Sequence, residues 1–186
     1  RSTLFPYTTL FRSSYNNLSE SQRQTFRSKL LAIPEVEAVG YGYGTPVEGL
    51  ENNTTTADDG TVVSMRYLIG DSCFYNILNI HPERTYTDKG VGVNHQLLRQ
   101  FGKRDDERKI VTANETVNLE VGAVYPDMVY QNIMKEEEHP TPFLFLKTNE
   151  FHDNANNYVS NNYGRPRQAL VKYHGDHKKV EDAMSG

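Results

Sequence analysis

The sequence predicts an α+β fold in which a β-rich module is inserted into a module of βαβ type. The chain opens with a helix followed by a strand, its middle is rich in short strand patterns, and it closes with a strand followed by a helix. The chain has 186 residues and a hydrophobic fraction of 37%. A chain of this length and composition can bury a core, so disorder throughout is not expected.

The first elements are predicted from their boundary residues. Ser19 and Gln22 form a capping-box pattern at the start of a helix, and Pro34 ends that helix before an extended segment. Range 40–60 is rich in Gly, Thr, Asn and Asp, which predicts a long connection or an edge hairpin. Range 61–69 then follows as a strand.

Two short helices are predicted in the middle of the chain. The first follows Gly70-Asp71 and carries Phe74, Ile77 and Leu78. The second covers 95–101 after a brief strand over 91–94, with Asn94 as its N-cap and Gly102 at its C-terminal end.

The rest of the chain is predicted to be mainly extended until its last helix. That helix begins at Gly175-Asp176 and carries Val180, Ala183 and Met184 on one side. A loop is predicted over 149–167, and an Asn114-Glu115 turn separates two strands. The predicted strands cover 109–111, 116–124, 143–147 and 168–173.

Composition excludes some classes of function. The net charge is −4 with acids and bases interspersed, whereas a nucleic-acid partner requires a basic face, so none is expected. No stretch approaches the roughly 20 apolar residues that span a bilayer. The longest uninterrupted apolar run, Phe143 to Leu146, suits a buried strand.

Residues that could carry chemistry are scattered. Cys73 lies in an apolar run and is expected to be a small buried hydrophobe. Gly40 to Gly44 lacks the spacing of a phosphate loop, so a twisted strand end or bulge is expected. Asp58-Asp59-Gly60 is expected to form a turn. Tyr41, Tyr43, Tyr125 and Tyr130 could line a binding surface, although aromatic residues in strands usually serve packing.

The histidines do not form a metal-binding pattern. His174 and His177 are three residues apart, but Asp176 between them is explained as an N-cap, and a surface role is expected for the pair. His95 is expected on the exposed side of its helix. The sequence therefore predicts no catalytic, cofactor-binding or metal-binding residue, and no enzyme.

Five segments, taken in order, carry a resemblance to a known family. They are 31–39, 70–80, 91–102, 121–127 and 169–173. Their order resembles the periplasmic core domain shared by MacB-like and FtsX-like ABC transporter permeases, over roughly residues 19–186. The chain departs from the family pattern at Glu35, where a glycine is usual, and at Pro82-Glu83-Arg84, where Gly-Arg is frequent.

The resemblance implies a porter-like module formed by 14–66 and 166–186, with the β-rich module over 67–165 inserted. It further implies an extracytoplasmic domain of a permease in the bacterial cytoplasmic membrane, facing the periplasm. Such a domain couples cytoplasmic ATP hydrolysis to the movement of a substrate or partner, without catalysis or a cofactor of its own. The implied partners are a cytoplasmic ABC ATPase, a periplasmic protein and a second permease.

One interpretation of the N-terminus and two alternative functions remain as hypotheses. Residues 1–13 resemble a translated sequencing-adapter tail and are interpreted as non-native, although Tyr7 to Phe11 also has fair strand propensity. The chain could instead be a free-standing soluble extracytoplasmic binding protein. A metal-dependent hydrolase using His174 and His177 is the third hypothesis.

Overall fold

The structure is a computed structural model that describes residues 9–14, 19–43, 52–111, 118–128, 141–147 and 168–185. The fold is α+β, as predicted, with a mixed sheet and short helices. In chain order the elements are β1 (Thr9–Ser14), α1 (Glu20–Leu31), β2 (Val36–Tyr43), β3 (Asn52–Thr56), β4 (Val62–Gly70), α2 (Ser72–Ile77), β5 (Arg84–Thr85), β6 (Val91–Asn94), α3 (His95–Gln100), β7 (Lys109–Val111), β8 (Asn118–Tyr125), β9 (Phe143–Lys147), β10 (Gln168–Tyr173) and α4 (His177–Ser185).

The strands pair in the order β1-β10-β2-β4-β9-β6-β8-β5, with β3 added to β4 and β7 added to β8. The β4–β9 and β6–β8 pairs are parallel and the other pairs are antiparallel. Strands far apart in sequence are therefore neighbours, which places the first and last strands of the described chain side by side.

Strand β4 lies near the middle of the sheet, between β2 and β9. Along one edge it pairs first with β3 and then, at Ile69 and Gly70, with β2. Along its other edge it pairs in parallel with β9, from Arg66 to Gly70. The predicted module boundary between residues 66 and 67 falls inside this strand, and the division into two modules stays a prediction.

The capping box predicted at the start of α1 is confirmed. The Ser19 hydroxyl accepts a hydrogen bond from the Gln22 backbone N–H at 3.3 Å, and the Gln22 side chain accepts from the Ser19 N–H at 2.8 Å. Leu30 from the helix is 2% exposed and packs against β2. The capping residues thus set where α1 begins, and its apolar side sets how it packs.

The part of the sheet formed by β2 and β10 is covered on both faces. On one face α1 and α4 contribute Leu30 and Val180 to a core with Val39, Val171 and Tyr173. On the other face Leu170 joins the core around α2. Because side chains alternate along a strand, successive residues of β2 face different helices.

Strand β5 is not among the predicted strands, and β1 lies mostly in the segment that was interpreted as non-native. The structure describes β1 before α1, and it pairs with all of β10. The alternative interpretation of Tyr7 to Phe11 as a strand is confirmed for residues 9–11, which lie in β1. The interpretation of residues 1–13 as non-native stays a prediction. The strand β5 has only two residues, too few for a periodic pattern. The predicted Asn114-Glu115 turn and the loop over 149–167 lie outside the described residues.

Candidate functional site

The helix α2 packs against β2, β4 and β10, and its N-terminus is capped by Asp71. The Asp71 carboxylate caps α2 by accepting a hydrogen bond from the Phe74 N–H at 2.8 Å. The same carboxylate forms an ion pair with Arg27 of α1. The Arg27 guanidinium carbon lies 4.9 Å from the centre of the Tyr41 ring of β2, a cation–π arrangement. One carboxylate therefore connects α1 to α2. We call α2 with its cap the junction helix.

Three glycines form the surface on which the junction helix sits. A Cβ atom at Gly40 would lie 2.4 Å from the backbone nitrogen of Phe74. At Gly42 and Gly70 it would lie 2.5 Å and 2.3 Å from atoms of the Phe74 ring. Phe74 is fully buried, so its ring has no free space into which to turn away. Only glycine at these positions allows the helix to approach the sheet so closely.

The described part of the Gly40–Gly44 run is the end of β2, which agrees with the interpretation as a strand end and not with a bulge. Gly40 and Gly42 lie inside β2 and pair in regular register with Leu170 and Gln168. Their role is close packing against α2. The signal that points to this is the alternation of small residues, Ala38, Gly40 and Gly42, along one face of the strand.

Tyr75 of the junction helix forms hydrogen bonds with backbone groups of both β4 and β9. Its hydroxyl lies 2.9 Å from the carbonyl oxygen of Leu68 and 2.8 Å from that of Leu146, and it accepts a hydrogen bond from the Leu146 N–H at 3.1 Å. Its ring packs against Phe145, which stacks on Tyr125 with a centroid distance of 4.1 Å. A side chain from α2 thus completes the backbone pairing of two strands.

The space beside this aromatic cluster is too small for a ligand. A cavity of about 10 Å³ lies between Tyr75, Tyr125, Phe145 and the glycines of β6 and β8. This volume holds about one water molecule. The aromatic side chains around this cavity are closely packed.

Asn94 is a second connecting residue and is fully buried. Its side-chain oxygen accepts hydrogen bonds from the Leu97 N–H at 3.1 Å and the Phe143 N–H at 2.9 Å. Its side-chain nitrogen donates to the Thr141 carbonyl at 2.7 Å. The prediction that Asn94 caps α3 is confirmed, and the structure adds its link to β9.

The end of β8 also contacts the start of α3. The Asp127 carboxylate accepts a hydrogen bond from the Gln96 N–H at 2.7 Å and forms an ion pair with Arg99. Asp127 lies in the segment 121–127 that carries part of the family resemblance. Within the described residues, its contacts orient a helix.

His95 lies outside the buried face of α3, as expected, but two segments of the chain partly cover it. Its side chain is 21% exposed, with Nε2 2.8 Å from the Glu83 carboxylate and Nδ1 2.9 Å from the Asp105 carboxylate. The hydrogen bond to Asp105, followed by that to Glu83, raises the pKa of His95 above its usual value of 6.5. The two carboxylates contact different ring nitrogens, so they are not arranged around one shared metal position.

His174 and His177 lie at the surface, in agreement with the surface interpretation. His174 is 61% exposed, and its Nδ1 lies 3.4 Å from a Glu37 oxygen. The His177 Nδ1 contacts the Tyr173 hydroxyl. Asp176 accepts a hydrogen bond from the Lys178 N–H at 2.9 Å, as a capping residue does. Within the ranges that the structure describes, no three His, Cys, Asp or Glu side chains are grouped to hold a metal ion.

The structure also decides where Cys73 and the tyrosines lie. Cys73 is exposed, so the expectation of a buried residue is wrong: α2 turns Phe74, Tyr75 and Ile77 inward and leaves Cys73 outside. Tyr41 and Tyr125 are 5% and 6% exposed and serve packing. Tyr43 is half-buried against the core, and Tyr130 lies outside the described residues.

None of the helices in the described part of the chain combines the length and apolar character that a bilayer crossing needs. The sequence matches no protein-family model, and no curated protein matches it.

The fold is that of periplasmic and extracellular domains of ABC-type transporters and permeases. The periplasmic region of MacB from Actinobacillus actinomycetemcomitans matches with a TM-score of 0.54 and 7% identity, over 94% of this chain and 79% of that one. A domain of a proposed permease from Porphyromonas gingivalis gives 0.52 and 14%, over 84% and 65%. The extracellular domain of the noncanonic ABC-type transporter YknZ from Gram-positive bacteria gives 0.51 and 10%, over 95% and 87%. At these identities the similarity establishes the fold.

Proposed function

We propose that the chain is the extracytoplasmic domain of an ABC transporter permease, which couples cytoplasmic ATP hydrolysis to the movement of a substrate or partner outside the membrane. The observation that carries the proposal is the shared fold with the domains of MacB, the proposed permease and YknZ. In this role the domain is non-catalytic and transmits movement through its own packing.

The junction helix supports a mechanical role. On one side it is connected through Asp71 to Arg27, and on the other its Tyr75 hydroxyl lies between β4 and β9. Between these contacts Phe74 is enclosed on the glycine surface. A displacement of α1 is therefore passed to β4 and β9 through close-packed atoms, because a packed interior transmits strain.

The family resemblance supplies the assembly that we propose around this domain. Residues 14–66 and 166–186 form the porter-like module, and 67–165 form the inserted module. Membrane helices outside this chain connect the domain to a cytoplasmic ABC ATPase, and two permeases form a dimer in the bacterial cytoplasmic membrane. The domain faces the periplasm, where it contacts a partner protein.

The test uses the gene that encodes this chain, recovered together with its flanking DNA and expressed with its ATPase. Cys73 is the single cysteine of the chain and is exposed, so it accepts a spin label on α2. Any cysteines elsewhere in the full-length protein are replaced, and the unlabelled Cys73→Ala protein gives the background signal. The distance between the two labels of a dimer is measured by pulsed electron paramagnetic resonance.

We expect the distance distribution to change between nucleotide-free protein and protein trapped with ATP by a hydrolysis-deficient ATPase. An unchanged distribution would contradict coupling. A gene that encodes a signal peptide and no flanking apolar helices would instead support the free-standing binding protein.

A further inference from the structure

His95 lies between two surface segments that reach it from different parts of the chain. The first segment, 81–90, carries Glu83 and is held against β8, because the Glu83 N–H donates to Val124 and the Tyr86 N–H donates to Gly122, each at 2.8 Å. The second segment, 101–108, follows α3 and carries Asp105. His95 is the first residue of α3, so the imidazole joins three elements.

The protonation state of His95 decides whether both contacts are favourable. A neutral imidazole has one N–H donor and one lone pair, whereas the imidazolium has two donors. Each ring nitrogen faces a carboxylate oxygen, at 2.8 Å and 2.9 Å. Only the imidazolium donates to both, because in the neutral ring one lone pair faces a negative oxygen.

We propose that His95, Glu83 and Asp105 form a pH-operated clasp that holds segment 101–108 against segment 81–90 and α3. The proposal rests on the geometry of these three side chains and is independent of the proposed transport function. When the imidazolium loses one of its two N–H protons, one of the two contacts is lost and segment 101–108 opens more often.

The other side chains around the clasp contact groups other than the imidazole. The Tyr86 hydroxyl donates to the Asp105 carbonyl at 2.7 Å, and the Arg108 guanidinium lies 5.0 Å from the centre of the Tyr86 ring. On α3 the nearest cation is Arg99, which is paired with Asp127 after β8. The charged groups that face the imidazole are therefore Glu83 and Asp105.

The direction of the pH effect follows from the raised pKa of His95. The contribution of the clasp is fully present below the unfolded value of 6.5 and is lost as the pH rises through the higher pKa of the folded protein. Linkage makes the protection of segment 101–108 fall tenfold for each unit by which the pKa of His95 with the segment closed exceeds its pKa with the segment open.

The test combines a nuclear magnetic resonance titration of the histidines with hydrogen exchange between pH 5 and 9, corrected for the intrinsic pH dependence of exchange. We expect His95 to titrate above 6.5, and Asp105→Asn to lower its pKa more than Glu83→Gln does, because Asp105 makes the larger contribution. His95→Gln should remove the pH dependence of protection in segment 101–108.

Two results would overturn the clasp. One is a His95 pKa at or below 6.5 in the unaltered protein. The other is a corrected protection of segment 101–108 that varies with pH equally in the unaltered protein and in His95→Gln. Neither result would bear on the proposed transport function, which the Cys73 distance measurement tests separately.

Discussion

At the scale of single residues, buried polar side chains and glycines determine how the junction helix packs on the sheet. Tyr75 is 6% exposed and places its hydroxyl among backbone groups of β4 and β9. Gly40 has the opposite role, since the absence of a side chain lets the α2 backbone approach β2. Both positions are sensitive to the addition or removal of very few atoms.

We expect Tyr75→Phe to lower the free energy of unfolding by about 1–3 kcal/mol, because the Leu146 N–H and two carbonyls lose a buried partner. Urea unfolding measures the change. The control is Tyr86→Phe, whose hydroxyl contact to Asp105 is exposed, so that water replaces it at a cost below about 1 kcal/mol. Equal losses in the two variants would contradict the role assigned to Tyr75.

Gly40→Ala should destabilise the protein by about 1–3 kcal/mol, because the new methyl group overlaps the backbone of α2. The control is Cys73→Ala on α2, which should stay within about 0.5 kcal/mol because the side chain is exposed. Thermal unfolding followed by circular dichroism compares them. A Gly40→Ala protein as stable as the control would show that α2 does not sit on this surface.

At the scale of elements, α2 and α3 are too short to be stable alone. Each has six residues, and isolated helices below about 12–15 residues are marginal in water. Each begins at an N-cap that also contacts another element: Asp71 contacts α1, and Asn94 contacts β9. The caps therefore join elements as well as beginning helices.

For Asn94→Ala we expect a loss of about 3 kcal/mol, because the Leu97 N–H, the Phe143 N–H and the Thr141 carbonyl lose their buried partner. Hydrogen exchange should become faster at both Leu97 and Phe143. Asp176→Ala removes an exposed cap and should cost about 0.5–1 kcal/mol. Faster exchange at Leu97 alone would restrict Asn94 to capping.

At the scale of the whole molecule, the first and last of the described strands belong to one sheet. Strand β10 pairs with β1 and β2, and β4 connects β2 to β9. The Leu170 side chain from β10 packs in the same core as Phe74 and Phe143. The strand pairing and the core both continue across the predicted module boundary.

We therefore expect a single cooperative unfolding transition. Phe74→Ala removes the ring at the junction and should cost about 3–5 kcal/mol, whereas Phe74→Leu should cost about 1.5 kcal/mol because most of the volume remains. Tyrosine fluorescence and far-ultraviolet circular dichroism should give coincident urea transitions in the unaltered protein. Two separate transitions there would mean that the modules unfold independently.

Much of the secondary structure could be predicted because its signals are local. The capping residues Ser19 and Asn94 act within three residues of their own positions, and each has the predicted role. The apolar run Phe143 to Leu146 is a buried strand, as predicted. Strand β5 has no such signal, because its pairing with β8 alone defines it.

The candidate site was harder to predict because its contacts join residues far apart in sequence. Asp71 meets Arg27 across 44 positions, and Tyr75 meets Leu146 across 71. The contacts of His95 were not predicted, because helical periodicity shows the helix face but does not reveal the segments that cover it. Cys73 was misplaced because an apolar neighbourhood in sequence does not decide which side of a six-residue helix faces the core.

By itself, the amino-acid sequence determined the α+β class, the helix starts and most strands, since these depend on hydrophobic period and capping chemistry between near neighbours. Tertiary structure alone decided that Gly40, Gly42 and Gly70 support Phe74, and that two carboxylates enclose His95. The reason is physical: these arrangements depend on which strands pair, and long-range pairing brings together side chains whose proximity no local pattern records.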